Sequence, residues 1–330
     1  MAILVCGGAG YIGSHAVHAL VQQGETVVVV DNLWTGHKEA VHAKAKFYEG
    51  DIRDAAILDR IFTENEIEAV MHFAASSQVG ESMIKPLLYF NNNVHGMQIL
   101  LEGMHKHGVD KIVFSSTAAV YGEPKRVPIE EDDETCPQNT YGETKLTMEK
   151  MMKWVDRAHG IHYVSLRYFN VAGALEDGSI GEDHAPETHL VPLILQVPNG
   201  KRECIMIFGE DYPTADGTCV RDYIHVADLA DAHLRALDYL RKGGDSNIFN
   251  LGNGKGFSVK EMIAAAEAAT GKSICVKLGE RRSGDPAQLI ASSKKAQEIL
   301  GWKPQYQDIE GIVRTAWNWH KTHPEGYGTK

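Results

Sequence analysis

The sequence predicts an α/β protein: a doubly wound parallel sheet, followed by a smaller mixed α/β unit. Three observations carry this expectation. Short uninterrupted apolar runs rich in β-branched residues alternate with helical patterns through the first third of the chain, and a glycine-rich turn follows the first of those runs directly. After Asn170 the texture changes to a stretch rich in Gly, Asp and Glu with almost no apolar content, GALEDGSIGEDHAPET at 173–188. Strands that read as continuous apolar runs are buried on both faces, and their alternation with helices implies parallel pairing through crossovers.

In chain order, residues 3–6, 26–31, 69–72 and 111–115 read as buried strands. Between them, 12–23, 55–64 and 86–107 carry apolar residues at helical spacing, each long enough for a crossover helix. A further helix at 141–159 leads into a strand at 163–168. Beyond the polar stretch the elements shorten, to helices at 190–197 and 226–241 and a strand at 248–251. Ser258 and Glu261 have capping-box spacing and open a helix at 259–269. This predicts a nucleotide-binding domain at 1–172 and a second domain formed mainly by 173–330, with segments at about 219–254 returning to the first.

The chain has 330 residues, 33 basic and 44 acidic, for a formal net charge of −11. That balance, with no Lys/Arg-rich run, argues against nucleic acid as a partner and leaves open a small anion held by a few local cations and amides. No stretch approaches the ~18 apolar residues of a membrane span, and the N-terminus lacks a secretory signal pattern. The five cysteines are odd in number and widely spaced without a C-x-x-C pair, so neither a disulfide framework nor a zinc site is expected and a reducing cytoplasm is the natural location. The sixteen histidines show no H-E-x-x-H or comparable ligand spacing, so no metal is expected.

Gly7, Gly10 and Gly13 form G-x-x-G-x-x-G directly between the first strand and the first helix. Glycines there permit a tight turn and bring backbone amides at a helix N-terminus to a pyrophosphate, the Rossmann-type arrangement. Asp31, at the end of the second strand, can accept from both ribose hydroxyls and would repel a 2′-phosphate, which favours NAD over NADP. Tyr141 and Lys145 stand four residues apart on one face of a helix start, where a cation beside the phenol lowers its pKa. Ser115, Ser116 and Thr117 close a preceding strand on the ligand side of such a sheet, and Thr117 supplies a third hydroxyl for a substrate oxygen.

These features, with HFAA at 72–75, NNN at 91–93, SST at 115–117, YGETK at 141–145 and RYFNVAGA at 167–174, resemble the extended short-chain dehydrogenase/reductase family. THLVP at 188–192, FGEDYPTADGTCVRDYIHV at 208–226 and RRSGDPA at 281–287 narrow the resemblance to that family's nucleotide-sugar 4-epimerases, along essentially the whole chain. The resemblance implies reversible interconversion of UDP-galactose and UDP-glucose through a 4-keto intermediate, with transient hydride transfer to tightly bound NAD. It implies Tyr141 as the base, Lys145 as the partner that depresses its pKa, and Thr117 on the sugar oxygen. Cofactor contacts then fall on Gly7, Gly10, Tyr11, Ile12, Gly13, Asp31, Asn32, Asp51, Ile52, Phe73, Ala74, Ala75, Ser77, Asn92, Ser115, Tyr141, Lys145 and Phe169. At Ser77 many relatives carry a Lys that reaches the cofactor phosphates.

Substrate contacts implied in the same way are Thr117, Asn170, His189, Leu190, Phe208, Arg221, Tyr223, Arg282, Asp285 and Leu289. Guanidinium forks suit a diphosphate. Leu289 falls where relatives control room for a 2-acetamido group, so N-acetylated and uronate sugars stay open as alternatives. A 4,6-dehydratase would carry Asp-Glu directly after the Thr, where this chain has Ala118 and Ala119. A cofactor-sensing protein would lack the Tyr141/Lys145 pair. A homodimer is implied by resemblance alone.

Overall fold

The computed structural model describes residues 1–282 and 285–328; Ser283 and Gly284, inside the RRSGDPA segment, lie outside the described residues. Its frame is a seven-stranded parallel sheet. β1 (Ala2–Cys6) is central, with β2 (Val27–Asp31) and then β3 (Lys46–Glu49) on one side. On the other side come β4 (Ile67–His72), β5 (Lys111–Ser115), β6 (His162–Arg167) and, at the edge, the strand Asn247–Asn250. The order reverses between β1 and β4, where the crevice for a ligand opens at the strands' carboxyl ends.

Period-two alternation explains why the strands read as unbroken apolar runs. Ile3 and Val5 pack on one face with Val17 and Leu20 of helix Tyr11–Gln22 and Leu229 and Leu237 of helix Val226–Arg241. Leu4 and Cys6 point to the other face, against Leu58 and Ile61 of helix Ala55–Glu64, Leu100 of helix Gly96–His107 and Met148 of helix Thr140–His159. Both faces are dry, so neither side of a strand can be polar. Local chemistry sets the helix ends: the Asn139 side chain accepts from Gly142 N at 2.8 Å, and Gly160 closes the same helix in the left-handed conformation.

The expected helix at 86–107 is a composite. Pro86–Tyr89 and Gly96–His107 are α-helical, and Phe90–His95 between them is π-helical. The wider turn carries the buried Asn93, whose side chain bonds Ser76 N at 2.9 Å, Ser76 O at 3.1 Å and the Thr144 hydroxyl at 3.0 Å. Apolar spacing marks the helix but not this internal widening, which often accompanies functional sites.

After residue 170 a second core gathers helices Leu190–Leu195, Val259–Thr270 and Ile309–Thr322 around Val191, Ile205, Ile207, Met262 and Ile312. The Ser258/Glu261 capping box is present. Strand Ile205–Phe208 pairs in parallel with Val276–Gly279. A three-stranded patch joins Val220–Arg221 to Phe257–Ser258 and Gln288–Leu289. The absence of a disulfide expected from cysteine spacing is corrected here: Cys204 and Cys275 are bonded. Each precedes one of two neighbouring parallel strands, a juxtaposition made by topology across 71 residues of sequence.

A buried ion pair fastens helix Thr140–His159 to β6. Arg167 donates to Glu149 from Nε at 2.9 Å and from a terminal nitrogen at 2.5 Å, and both side chains are about 4% exposed. The Ser116 hydroxyl donates to Glu149 at 2.5 Å, and Arg167 also reaches the Tyr121 hydroxyl at 2.8 Å. Removing one member leaves a charge sealed from water, which costs roughly 3–5 kcal/mol. Glu149→Gln and Arg167→Met are each expected to lower unfolding stability by that amount in urea titrations, and an unchanged midpoint would contradict the role given to the pair.

Candidate active site

The crevice begins at the glycine turn. Gly7 has φ +81°, and a Cβ there would stand 2.5 Å from Ala74 N; a Cβ on Gly13 would stand 2.1 Å from the Gly7 carbonyl oxygen. Turn, β4 end and helix start therefore touch backbone to backbone, which only glycine permits. Helix Tyr11–Gln22 starts after Gly10 with no side-chain cap, and amides at such an end are natural partners of a phosphate. Asp31 holds the turn, taking Ala9 N at 3.0 Å and Leu33 N at 2.8 Å on its two oxygens. Asp51 is fixed by Arg53, through Nε at 2.9 Å and a terminal nitrogen at 2.6 Å, and by Asn32 at 3.0 Å. The Arg53 guanidinium beside it holds its carboxyl well below the usual range.

A cleft runs from this turn along the strand ends. Of the residues expected to hold a cofactor, Gly7, Gly10, Asp31, Asn32, Asp51, Ile52, Phe73, Ala74, Ala75, Ser77 and Asn92 line it. Tyr11 is buried behind the turn, its hydroxyl donating to the Gly173 carbonyl at 2.7 Å, so a ligand meets its backbone end rather than its phenol. Phe169 and Leu289 pack with the cluster of Ala118, Val120 and Leu146, close behind Thr117.

Tyr141 and Lys145 occupy the first two turns of helix Thr140–His159. Lys145 Nζ donates to the Ser115 carbonyl at 2.8 Å and stands over the Phe114 ring at 4.8 Å, and the side chain is buried. Tyr141 hydrogen-bonds Thr117, and the Thr117 hydroxyl also caps the following turn by accepting from Ala119 N at 3.1 Å. Without bound positive charge, Lys145 does not hold the Tyr141 pKa down. Burial pushes the phenol up to about 12, opposed only by the Thr117 bond, and burial pulls Lys145 down to about 7 against the attraction of Glu149. A neighbour that sheds its own proton near neutrality is a weak source of field. Ser115 is held by its hydroxyl's bond to Tyr168 and by its carbonyl's bond to Lys145.

The residues expected to hold a sugar nucleotide gather on the short strands beyond. Arg221 is bound to Asp285, and Leu289 sits opposite Arg221 in register. The Arg282 guanidinium lies 4.0 Å over the Phe208 ring. Asn170 donates to the Asp222 carbonyl at 3.2 Å, and Tyr223 is buried beside it. Leu190 opens helix Leu190–Leu195. His189 lines the cleft, but its Nδ1 faces Glu182 and Glu187 at 2.8 and 3.1 Å.

Sequence reasoning missed Asn93, Glu149, Arg167 and Tyr168, whose partners are remote in the chain. It also missed a convergence of side chains: Glu182, His184, Glu187 and His189 each bring a nitrogen or carboxylate oxygen to within 4.8 Å of the others. The spacing E-x-H-x-x-E-x-H carried that signal, on a loop rather than a helix.

Between pH 7 and the ordinary value of 10.5, the unfolded chain holds the Lys145 proton and the folded protein sheds it. Stability therefore rises with pH across that window. In cofactor-stripped protein the stability of wild type relative to Lys145→Met is expected to grow by a few kcal/mol from pH 7 to 10, measured by urea unfolding. A flat difference would show that the amine is not desolvated.

The model of the NAD dependent epimerase/dehydratase family matches residues 3–252. The UDP-glucose 4-epimerase of Lacticaseibacillus casei is 60% identical over 330 residues, covering all of both chains. A crystal structure of a UDP-glucose 4-epimerase superposes with TM-score 0.99 at 58% identity, covering all of each chain. That of the Bifidobacterium longum enzyme in complex with NAD+ and UDP gives TM-score 0.93 at 40% identity, over 99% of this chain and all of that one.

Proposed function

The chain belongs to the NAD dependent epimerase/dehydratase family, and on that premise we propose that it interconverts UDP-galactose and UDP-glucose by inverting the sugar at C4. The observation that carries the proposal is the placing of two constellations at the carboxyl ends of one parallel sheet: a glycine turn whose bare backbone suits a close-approaching diphosphate, and the Tyr141–Thr117–Lys145 group beyond β5.

The turn fits NAD: the Gly7–Gly13 approach leaves no side chain between the helix end and a pyrophosphate, and Asp31 closes the pocket with a carboxylate that disfavours a 2′-phosphate. Residues Gly7, Gly10, Ile12, Gly13, Asp31, Asp51 and Ala74 would hold it, with Lys145 near the reacting end. When bound, NAD supplies a reversible acceptor for the C4 hydride. The protein's part is the proton. Tyr141 takes it from the 4-hydroxyl as the ketone forms and returns it when the ketone is reduced from the other face, so the base is restored each turnover. A phenol near 12 is a poor base at neutrality. About 5 units separate it from pH 7, some 7 kcal/mol, which bound positive charge and a protonated Lys145 have to supply together. Thr117 orients the sugar oxygen while bonded to Tyr141. Arg221 and Arg282 meet the UDP diphosphate, Phe208 and Asn170 line its path, and the Asp285 carboxylate aligns Arg221 until the phosphates arrive.

A 4,6-dehydratase gains no support, since Ala118 and Ala119 follow Thr117 and offer no acid or base for loss of water. Leu289, packed with Phe169 in the small cluster behind Thr117, is neither bulky aromatic nor small, and leaves a 2-acetamido sugar open beside the unsubstituted hexose. The proposal includes a cytoplasmic homodimer. Its supports are the resemblance and an exposed apolar run of Val79, Met83, Ile84 and Leu87, the last 82% exposed, a concentration unusual for a free surface. No described helix is long and apolar enough to cross a membrane.

Purified protein is expected to carry NAD and to convert UDP-galactose to UDP-glucose in an assay coupled to a UDP-glucose-consuming NAD-dependent dehydrogenase; no signal at micromolar enzyme would sink the reading. Tyr141→Phe is expected to lose roughly 10²–10⁴ of turnover while retaining bound cofactor, and near-normal activity would remove Tyr141 from its role. UDP-N-acetylgalactosamine is expected to turn over more slowly than UDP-galactose, and parity would favour the N-acetylhexosamine alternative.

A further inference from the structure

The loop at 180–189 passes over the dinucleotide cleft and brings four side chains to a point. His184 Nδ1 stands 3.4 Å from Glu182 Oε1 and 3.6 Å from Glu187 Oε2; His189 Nδ1 stands 2.8 Å from Glu182 Oε1 and 3.1 Å from Glu187 Oε1. Donors held at 2.0–2.1 Å around a tetrahedral zinc ion are separated by about 3.3 Å. The edges of this cluster scatter around that value.

A second observation is independent of the spacing. Glu182 is 4% exposed, yet its Oε1 has no hydrogen-bond partner, and neither has His184 Nδ1. Their separations are short enough for hydrogen bonds, but their angles are not those of donors aimed at acceptors. Within the cluster only His189 Nδ1 and Glu187 Oε1 are hydrogen-bonded, at 3.1 Å, so Glu182 Oε1 and His184 Nδ1 face its centre without a bond. A buried carboxylate left in that condition is costly unless a cation satisfies it.

We propose that Glu182, His184, Glu187 and His189 together bind one divalent cation of the zinc class. Two carboxylates and two neutral imidazoles around a dication sum to zero charge, which suits a site this enclosed. Two imidazole nitrogens select zinc over the all-oxygen preference of magnesium. All four positions come from protein atoms, which marks a structural site rather than one that activates water. The ligands are themselves fixed from behind: Glu187 Oε1 accepts Thr188 N and His189 N at 2.7 Å each, and Trp319 Nε1 donates to the Glu182 carbonyl at 3.3 Å. His184 and His189 also line the dinucleotide cleft, so the ion fixes the conformation of the loop that forms its wall.

The test uses full-length untagged protein purified without chelator. Elemental analysis is expected to find about one zinc per chain. After removal with dipicolinate, titration of the metal-free protein with ZnCl2 should restore one equivalent and raise the melting temperature by several degrees, and MgCl2 should do neither. Glu182→Gln and His189→Asn are each expected to weaken zinc binding more than tenfold in competition with a chromogenic chelator. If either variant fails to fold, the chelated wild type decides alone. Substoichiometric zinc with no uptake from ZnCl2, or folded variants that bind zinc as wild type does, would overturn the assignment and leave the cluster as two imidazolium–carboxylate pairs.

Discussion

Much of this molecule's geometry depends on one sealed charge pair. Glu149 and Arg167 sit where water cannot reach, one on the helix that carries Tyr141 and Lys145, the other at the end of β6. Ser116, which also bonds Glu149, is flanked by Ser115, whose carbonyl holds Lys145, and by Thr117, which bonds Tyr141. The three groups assigned to proton handling are therefore positioned through a single buried carboxylate. A hydrophobic replacement could match its stability, as burying an ion pair gives little net gain. What apolar packing would not supply is direction, because a two-pronged guanidinium–carboxylate contact fixes the rotation of the helix about its axis as well as its distance.

Electrostatically the site is set against its own protonation states. The chain is acidic overall, with a formal charge of −11, yet the groups nearest the chemistry are pressed toward neutrality. Burial raises the phenol of Tyr141 and lowers the ammonium of Lys145. Desolvation outweighs a charged neighbour here because the Lys145 amine is spent on a carbonyl and an aromatic face, and its nitrogen lies 5.9 Å from the centre of the Tyr141 ring. On its own side chains the crevice is thus a poor acid–base device, and positive charge brought into a medium of low dielectric is what would make it a good one.

The doubly wound sheet was legible because it rests on local signals. Four apolar runs, the glycine turn and Asp31 each announce themselves within a few residues, and period-two burial makes the strands conspicuous. The cleft-lining residues Phe73, Ala74 and Asn92 were legible only through resemblance, since nothing in their chemistry distinguishes them from packing residues. Illegible features share a different property: their meaning is a partner far along the chain. Asn93 needs Ser76 and Thr144, Glu149 needs Arg167, and Cys204 needs Cys275. β3 was missed because only Tyr48 of its four residues is buried, so an edge strand lacks the apolar run that marks its neighbours. The convergence of Glu182 with His189 was illegible because it arises from the path of a loop rather than from a repeat along a helix.

The strand Asn247–Asn250 reaches the sheet only after the chain has laid down part of its second core, and it pairs with β6 across some 80 residues of intervening sequence. Helix Val226–Arg241, which covers one face of the sheet, arrives just as late. A nascent chain that has emerged only as far as residue 172 therefore exposes an unpaired β6 edge and an uncovered apolar sheet face, the kind of surface that recruits other strands. The two halves are coupled by order of synthesis: the first cannot become safe from aggregation until much of the second has been made. Severing the polypeptide in the polar stretch at 173–188 would part a continuous cooperative structure rather than release two independent ones.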